Sequence, residues 1–166
     1  MSVLSFKISD KLLTMRAIKI LSVFPILLLA NLAFAQEDCA KMPVEKGTIG
    51  SLYGYRIHPN TNTKKFHAGI DIRAKYGNSV YAAFDGKVVE VKKSSRGYGN
   101  TIKILHENGL TTLYAHLSAF SVKKGAVICK GKIIGKIGTS GNSTGPHLHF
   151  EIIENKKKIN PLVYLL

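Results

Sequence analysis

Acidic residues are scarce in this sequence. Its 166 residues include 24 lysines and arginines but 10 aspartates and glutamates, a net charge of +14. Such a charge favours anionic partners: nucleic acid, anionic lipid or acidic cell-wall material. The basic residues are scattered, and no long basic arm or recognition helix is present in the sequence pattern. We therefore expect no nucleic-acid partner.

Long apolar runs are also rare. The one candidate, residues 20–33, is too short for a comfortable membrane span. A basic stretch opens at Met15, and Ala33-Phe-Ala35 supplies the small-x-small pattern of a cleavage site. We predict a signal peptide at residues 1–35, with Met15 as an alternative start, and export to the periplasm, cell envelope or extracellular space. The alternative is an uncleaved N-terminal anchor; after cleavage we expect no stable membrane anchor.

The sequence has two cysteines, Cys39 and Cys129. An even count in an exported chain permits a disulfide, and two free thiols are the alternative. Neither a nucleophile elbow nor a cysteine-protease signature is present. The loop Gly138–Pro146 lacks the lysine of a phosphate-binding loop, which excludes a nucleotide site of that kind.

Helical periodicity over three turns is absent from residues 36–166. Alternating segments separated by glycine turns predict strands instead. We expect an all-β domain at residues 48–166 after a short lead at 36–47, with antiparallel sheets in a sandwich or partly open barrel. The predicted strands are residues 79–84, 87–93, 101–106, 110–116, 133–137 and 147–154.

The segment His147-Leu-His-Phe-Glu-Ile152 alternates strictly. In a strand, His147, His149 and Glu151 share one face, and the apolar residues between them pack on the core. The two histidines are then about 7 Å apart at the backbone. One could bind a metal ion while the other reaches the substrate; two exposed histidines are the alternative.

A second pattern is His67-Ala-Gly-Ile-Asp71. A histidine and an aspartate together suit zinc. An extended strand would separate them by about 13 Å, so binding one ion requires a bend, which Gly69 permits. His116 ends the alternating segment Leu110–His116. Taken singly, each of these patterns is a weak indication of a site.

Taken together, the motifs resemble the lysostaphin-type zinc endopeptidases, which cut the peptide part of bacterial cell wall. The resemblance covers residues 48–165 and depends on the order of several motifs. They are Tyr53-Gly-Tyr-Arg-Ile-His-Pro59, Phe66-His-Ala-Gly-Ile-Asp71, Ala82-Ala-Phe-Asp-Gly-Lys87, Gly97-Tyr-Gly-Asn100, Tyr114-Ala-His-Leu-Ser118, Gly141-Asn-Ser-Thr-Gly-Pro-His-Leu-His-Phe-Glu151 and Asn160-Pro161.

The resemblance implies a barrel-sandwich (duplicated hybrid motif) with a substrate groove, here preceded by a signal-peptide helix. It implies one Zn²⁺ ion per chain, held by His67, Asp71 and His149, with His116 and His147 as the catalytic pair. The implied substrate is the peptide stems or cross-bridges of peptidoglycan, and we expect a monomer. Some relatives lose ligands and activate other wall hydrolases. A non-catalytic wall-binding or activator protein is therefore the alternative function.

Overall fold

The computed structural model describes residues 40–57 and 63–166. The predicted signal peptide and Cys39 lie outside these residues. The described part is almost entirely β-structure, with thirteen strands and one short helix. The strands are β1 Thr48–Ser51, β2 Gly54–Ile57, β3 Lys64–His67, β4 Ile70–Arg73, β5 Ser79–Tyr81, β6 Gly86–Lys92, β7 Thr101–Leu105, β8 Thr111–Ala115, β9 Leu117–Phe120, β10 Val127–Ile128, β11 Ile133–Ile137, β12 His147–Glu154 and β13 Lys157–Ile159; helix α1 is Leu162–Leu165.

Eight strands form the main sheet, in the order β1-β4-β12-β8-β7-β6-β10, with β13 also paired to β12. All the pairings are antiparallel. Strand β12 therefore has a neighbour on each side, β4 and β8. His149 lies opposite Asp71 on β4 and opposite Ala115 on β8. The sheet pairing thus brings distant parts of the chain together around one histidine.

The core joins the main sheet to a three-stranded sheet of order β5-β11-β9. On β12, the alternation puts Leu148, Phe150 and Ile152 into this core, where all three are fully buried. Burying a side chain of this size stabilises the fold by about 1.5–3 kcal/mol. The packing of these residues fixes the strand's other face, which carries His147, His149 and Glu151, toward a cleft.

Strands β2 and β3 form a separate two-stranded ribbon. The chain leaves the ribbon at His67, bends at Gly69 and enters the main sheet at Ile70, so the predicted bend is present. A Cβ on Gly69 would lie 2.3 Å from the carbonyl oxygen of Phe150. Only glycine allows the bend to pass this close to β12.

The antiparallel all-β prediction is confirmed, and strands β11 and β12 have the predicted bounds. The two segments around Asp85-Gly86 enter different sheets, because β5 pairs with β11 while β6 pairs with β7 and β10. Cys129 follows the short strand β10, Val127–Ile128, and is exposed. Within the described residues, no helix has the length and apolar character needed to cross a membrane.

Candidate metal centre and active site

Three polar atoms from three chain segments converge on one point in the cleft. They are His67 Nε2 at the end of β3, Asp71 Oδ1 on β4 and His149 Nδ1 on β12. The two histidine nitrogens are 3.0 Å apart, and they lie 3.1 and 2.9 Å from the carboxylate oxygen. Because zinc takes nitrogen and oxygen ligands at about 2.0–2.2 Å, one ion can contact all three atoms.

Hydrogen bonds to the far side of each imidazole set its tautomer. His67 Nδ1 donates to the carbonyl oxygen of Leu52 at 2.8 Å, which leaves Nε2 with a lone pair. His149 Nε2 donates to Glu151 Oε1 at 3.0 Å, which leaves Nδ1 with a lone pair. Two lone pairs facing each other 3.0 Å apart repel unless a cation lies between them. The donor set therefore fits a metal ion.

Glu151 is 1% exposed and accepts three hydrogen bonds on Oε1. The donors are His149 Nε2 at 3.0 Å, the Tyr98 hydroxyl at 2.7 Å and Lys158 Nζ at 3.0 Å. Burial by itself would raise the pKa of Glu151, but these hydrogen bonds outweigh it and lower the pKa. The carboxylate is thus charged, and a carboxylate bonded to a ligating histidine orients the ring and raises its basicity.

The outer oxygen of Asp71 faces Arg56. Arg56 Nη2 lies 3.5 Å from Asp71 Oδ2, and its Nη1 donates to Ser51 Oγ at 2.9 Å. Burial would raise the pKa of Asp71, yet its interactions with the adjacent rings of His149 and His67 lower it well below its usual range. Asp71 is therefore ionised, as a metal ligand must be.

His116 and His147 lie side by side next to the three converging atoms, with ring centroids 4.8 Å apart. His116 Nδ1 donates to the carbonyl oxygen of Ser140 at 2.7 Å, and His147 Nδ1 donates to that of Gly145 at 2.8 Å. In the neutral form of each ring, the proton is thus on Nδ1 and Nε2 has the lone pair. His147 Nε2 is 3.8 Å from Asp71 Oδ1. The pair can accept protons beside the candidate metal position.

The alternating segment Leu110–His116 predicted that His116 continues the face of strand β8. In the structure it does not. Its φ is 61°, in the left-handed region, and the chain turns there from the main sheet into β9 of the three-stranded sheet. Such backbone strain in a non-glycine residue is concentrated at functional sites. Burial lowers the pKa of His116, against the opposing hydrogen bond to Ser140. The ring is therefore neutral at neutral pH.

Two loops hold the rest of the cleft in place. The backbone N–H of Asn142 donates to the carbonyl of Gly97 at 2.8 Å, and that of Asn100 donates to Ser140 Oγ at 2.9 Å. The loop Gly138–Pro146 is thus tied to the segment that carries Tyr98. The cleft has a volume of about 950 Å³, and all five predicted site residues line it.

The structure thus brings His67, Asp71, His149, His116 and His147 into one cleft. Sequence reasoning had assigned no role to the residues behind them: Leu52, Arg56, Tyr98, Glu151 and Lys158. Some features of the sequence could have pointed to these residues. Alternation put Glu151 on the face of His149, and Arg56 and Tyr98 lie inside motifs that carry the resemblance. Nothing in the sequence pattern pointed to the Leu52 carbonyl or to Lys158.

Comparison with known proteins identifies the family of the chain. The model of peptidase family M23 matches residues 65–161. The chain is 48% identical over 120 residues to the DD-carboxypeptidase/endopeptidase Mpg of Neisseria meningitidis, covering 72% of this chain and 27% of that protein. It is 42% identical over 106 residues to the peptidoglycan DD-endopeptidase ShyC of Vibrio cholerae, covering 64% and 24%.

Among solved structures, the fold matches the catalytic domain of the antimicrobial peptidase lysostaphin from Staphylococcus simulans. The TM-score is 0.63 at 35% identity, covering 71% of this chain and 91% of that one. The resemblance to lysostaphin-type peptidases is confirmed. The chain spans about a quarter of the length of the two curated relatives it matches. With more than half of its residues matched by the family model, the chain belongs to peptidase family M23.

Proposed function

We propose that this protein is an exported zinc-dependent endopeptidase that hydrolyses peptide bonds in the stems or cross-bridges of bacterial peptidoglycan. The convergence of His67, Asp71 and His149 beside the pair His116 and His147 carries the proposal. The names of two relatives, a DD-carboxypeptidase/endopeptidase and a peptidoglycan DD-endopeptidase, supply the substrate class. A cell-envelope location follows from that substrate and from the predicted signal peptide.

In this proposal His67, Asp71 and His149 hold the ion. Three protein ligands leave a further position open, which is typical of catalytic and not of structural zinc. When bound, the ion lowers the pKa of a water molecule toward about 7 and polarises the scissile carbonyl. Arg56 holds Asp71 in position, and Glu151 holds His149, each through the side of the ligand that faces away from the ion.

His116 and His147 do the proton chemistry. Each ring is held by an Nδ1–H bond to a backbone carbonyl, so its free Nε2 can accept a proton from the attacking water. A histidine that has gained a proton becomes a donor at Nε2. It can then stabilise the charge that develops on the carbonyl oxygen or protonate the leaving amine.

The experiment is digestion of purified peptidoglycan with the zinc-loaded protein, followed by mass spectrometry of the released muropeptides. We expect new peptide fragments, lost on addition of a chelator and restored by zinc. Wall binding without any release of fragments would instead support a non-catalytic binding or activator protein. The complete set of converging donor atoms favours the enzyme over that alternative.

A further inference from the structure

The cleft carries an excess of positive charge that the metal-centre residues do not use. Of the described residues that line it, Asp71 alone is acidic, whereas Arg56, Arg73 and Lys75 are basic. Arg56 is already engaged by Asp71 and Ser51. Arg73 and Lys75 make no ion pair and no side-chain hydrogen bond within residues 40–57 and 63–166. Two cations therefore face the cleft without a protein partner there.

Arg73 lies on the catalytic side of the sheet. It is the last residue of β4, two positions after Asp71, so both side chains belong to the same face of the strand. On the neighbouring strand it pairs directly with His147. Residues two apart on a strand are separated by about 7 Å, so the backbone of Arg73 lies about one substrate residue away from that of Asp71.

The stem of Arg73 is also held in place. A Cβ on Gly50 would lie 2.6 Å from Arg73 Nε and 2.8 Å from its Cγ. The stem thus packs across the backbone of β1 at Gly50, where a larger residue would push it aside. A guanidinium group on a supported stem presents a fork of N–H donors that matches a carboxylate.

We propose that Arg73 binds a carboxylate group of the peptide substrate next to the scissile bond, with Lys75 adding positive charge farther along the same wall. This inference rests on the proposed peptidase function. The carboxylate has two chemical sources, a side chain flanking the scissile bond or the C-terminus of a short acyl acceptor. In either case Arg73 selects substrates whose carboxyl group is free over those in which it is an amide.

The test uses synthetic cross-linked stem peptides in three forms: both carboxyl groups free, the side-chain group amidated, or the C-terminal group amidated. The amidated form that loses turnover identifies the source. For wild type we expect kcat/KM to fall on the order of 10- to 100-fold for that form, because a charge-assisted hydrogen bond has been lost. In Arg73→Gln the ratio between the forms falls to about one, whereas in Lys92→Gln, which removes a charge outside the cleft, it stays as in wild type.

A second readout separates this inference from the proposed function. Calorimetry measures the Kd of the same peptides for the zinc-loaded His116→Ala protein, with and without Arg73→Gln. If the protein binds free-carboxylate peptides more tightly than amidated ones, and this preference in Kd disappears with Arg73→Gln, the inference is supported. It is supported even where wild type cleaves none of the peptides. The lack of cleavage by itself would overturn the peptidase function. Equal Kd and kcat/KM for free and amidated peptides, or a preference retained by Arg73→Gln, overturns the role of Arg73.

Discussion

Glu151 Oε1 lies 3.0 Å from His149 Nε2, on the side of the imidazole opposite the converging donor atoms. A buried carboxylate, itself held by Tyr98 and Lys158, thus fixes the ring whose Nδ1 faces Asp71. The position of one candidate ligand therefore depends on Tyr98, which is 53 positions from Glu151 in the sequence, and on Lys158, which is 7 positions from it.

Replacing Glu151 should weaken metal binding. In Glu151→Ala the ring of His149 loses its acceptor, and we expect zinc affinity to fall about 10- to 100-fold, the usual effect of removing such a partner. Competition with a chromophoric chelator measures this. Glu154→Ala, which removes an exposed carboxylate from the same strand, is the matched control.

Glu151→Gln keeps the shape and an acceptor oxygen, and it provides a second variant if Glu151→Ala does not fold. It should bind zinc more tightly than Glu151→Ala but less tightly than wild type. Chelator titrations that superimpose for wild type and both variants would show that Glu151 does not support His149.

The two kinds of histidine should separate in a paired substitution. His149→Ala removes a donor atom, so zinc content and peptide release should be lost together. His116→Ala leaves the three converging atoms in place, so zinc content should stay near one ion per chain while kcat falls about 10²- to 10⁴-fold. Metal analysis by mass spectrometry and muropeptide release are measured on the same preparations. Full turnover by His116→Ala would contradict its proposed role.

Tyr114 should matter for stability and not for catalysis. Its buried hydroxyl accepts the N–H of Ala83 at 2.9 Å, and burial raises its pKa to about 12, so it stays neutral. Tyr114→Phe leaves that N–H without an acceptor, and we expect the free energy of unfolding to fall by about 1–3 kcal/mol. Urea unfolding measures it, with the exposed Tyr76→Phe as control. Equal midpoints for the two variants would refute the expectation.

His106 should make the zinc-free protein less stable at mildly acidic pH. Its Nδ1 donates to the carbonyl of Asp85 at 2.7 Å, and its Nε2 lies 2.8 Å from Thr112 Oγ1. Burial lowers the pKa of His106 below its usual 6.5, so the unfolded chain binds a proton at a higher pH than the folded one. Stability should therefore be full above about pH 6.5 and decline as the pH falls toward the lowered value.

The measurement is the free energy of unfolding of the zinc-free protein between pH 7.5 and 5. Wild type should lose more stability over this range than His106→Gln, which cannot titrate at that position. A pH slope that is the same in the two proteins would rule out a contribution from His106. Zinc must be absent, because metal binding by the cleft histidines has a pH dependence of its own.

The sequence predicted the strands whose two faces differ most. Strand β12 alternates apolar and polar residues throughout, and its bounds match the prediction. The ribbon β2–β3 was missed, because its short strands carry mostly exposed side chains and show no core-directed alternation. Strand β9 was missed because the predicted segment ends at His116, and the alternation gives no sign that the chain turns there into a second sheet.

The five candidate site residues came from motif order, and the structure places them in one cleft. The supporting contacts were beyond prediction because they depend on how separate segments pack in the folded chain. The carbonyl that binds His67 belongs to Leu52, outside any strand, and the amine that binds Glu151 comes from β13. A spacing rule describes residues close together in the chain, whereas these contacts join residues 15 and 7 positions apart through folded geometry.

The central position of β12 has a consequence for the exchange of backbone hydrogens. His149 is hydrogen-bonded into ladders with β4 on one side and β8 on the other, so its segment opens only when the middle of the sheet separates. Backbone amides here should be among the last to take up deuterium, long after those of the exposed ribbon β2–β3. The backbone that carries this candidate ligand should thus be as strongly protected from exchange as the core beneath it.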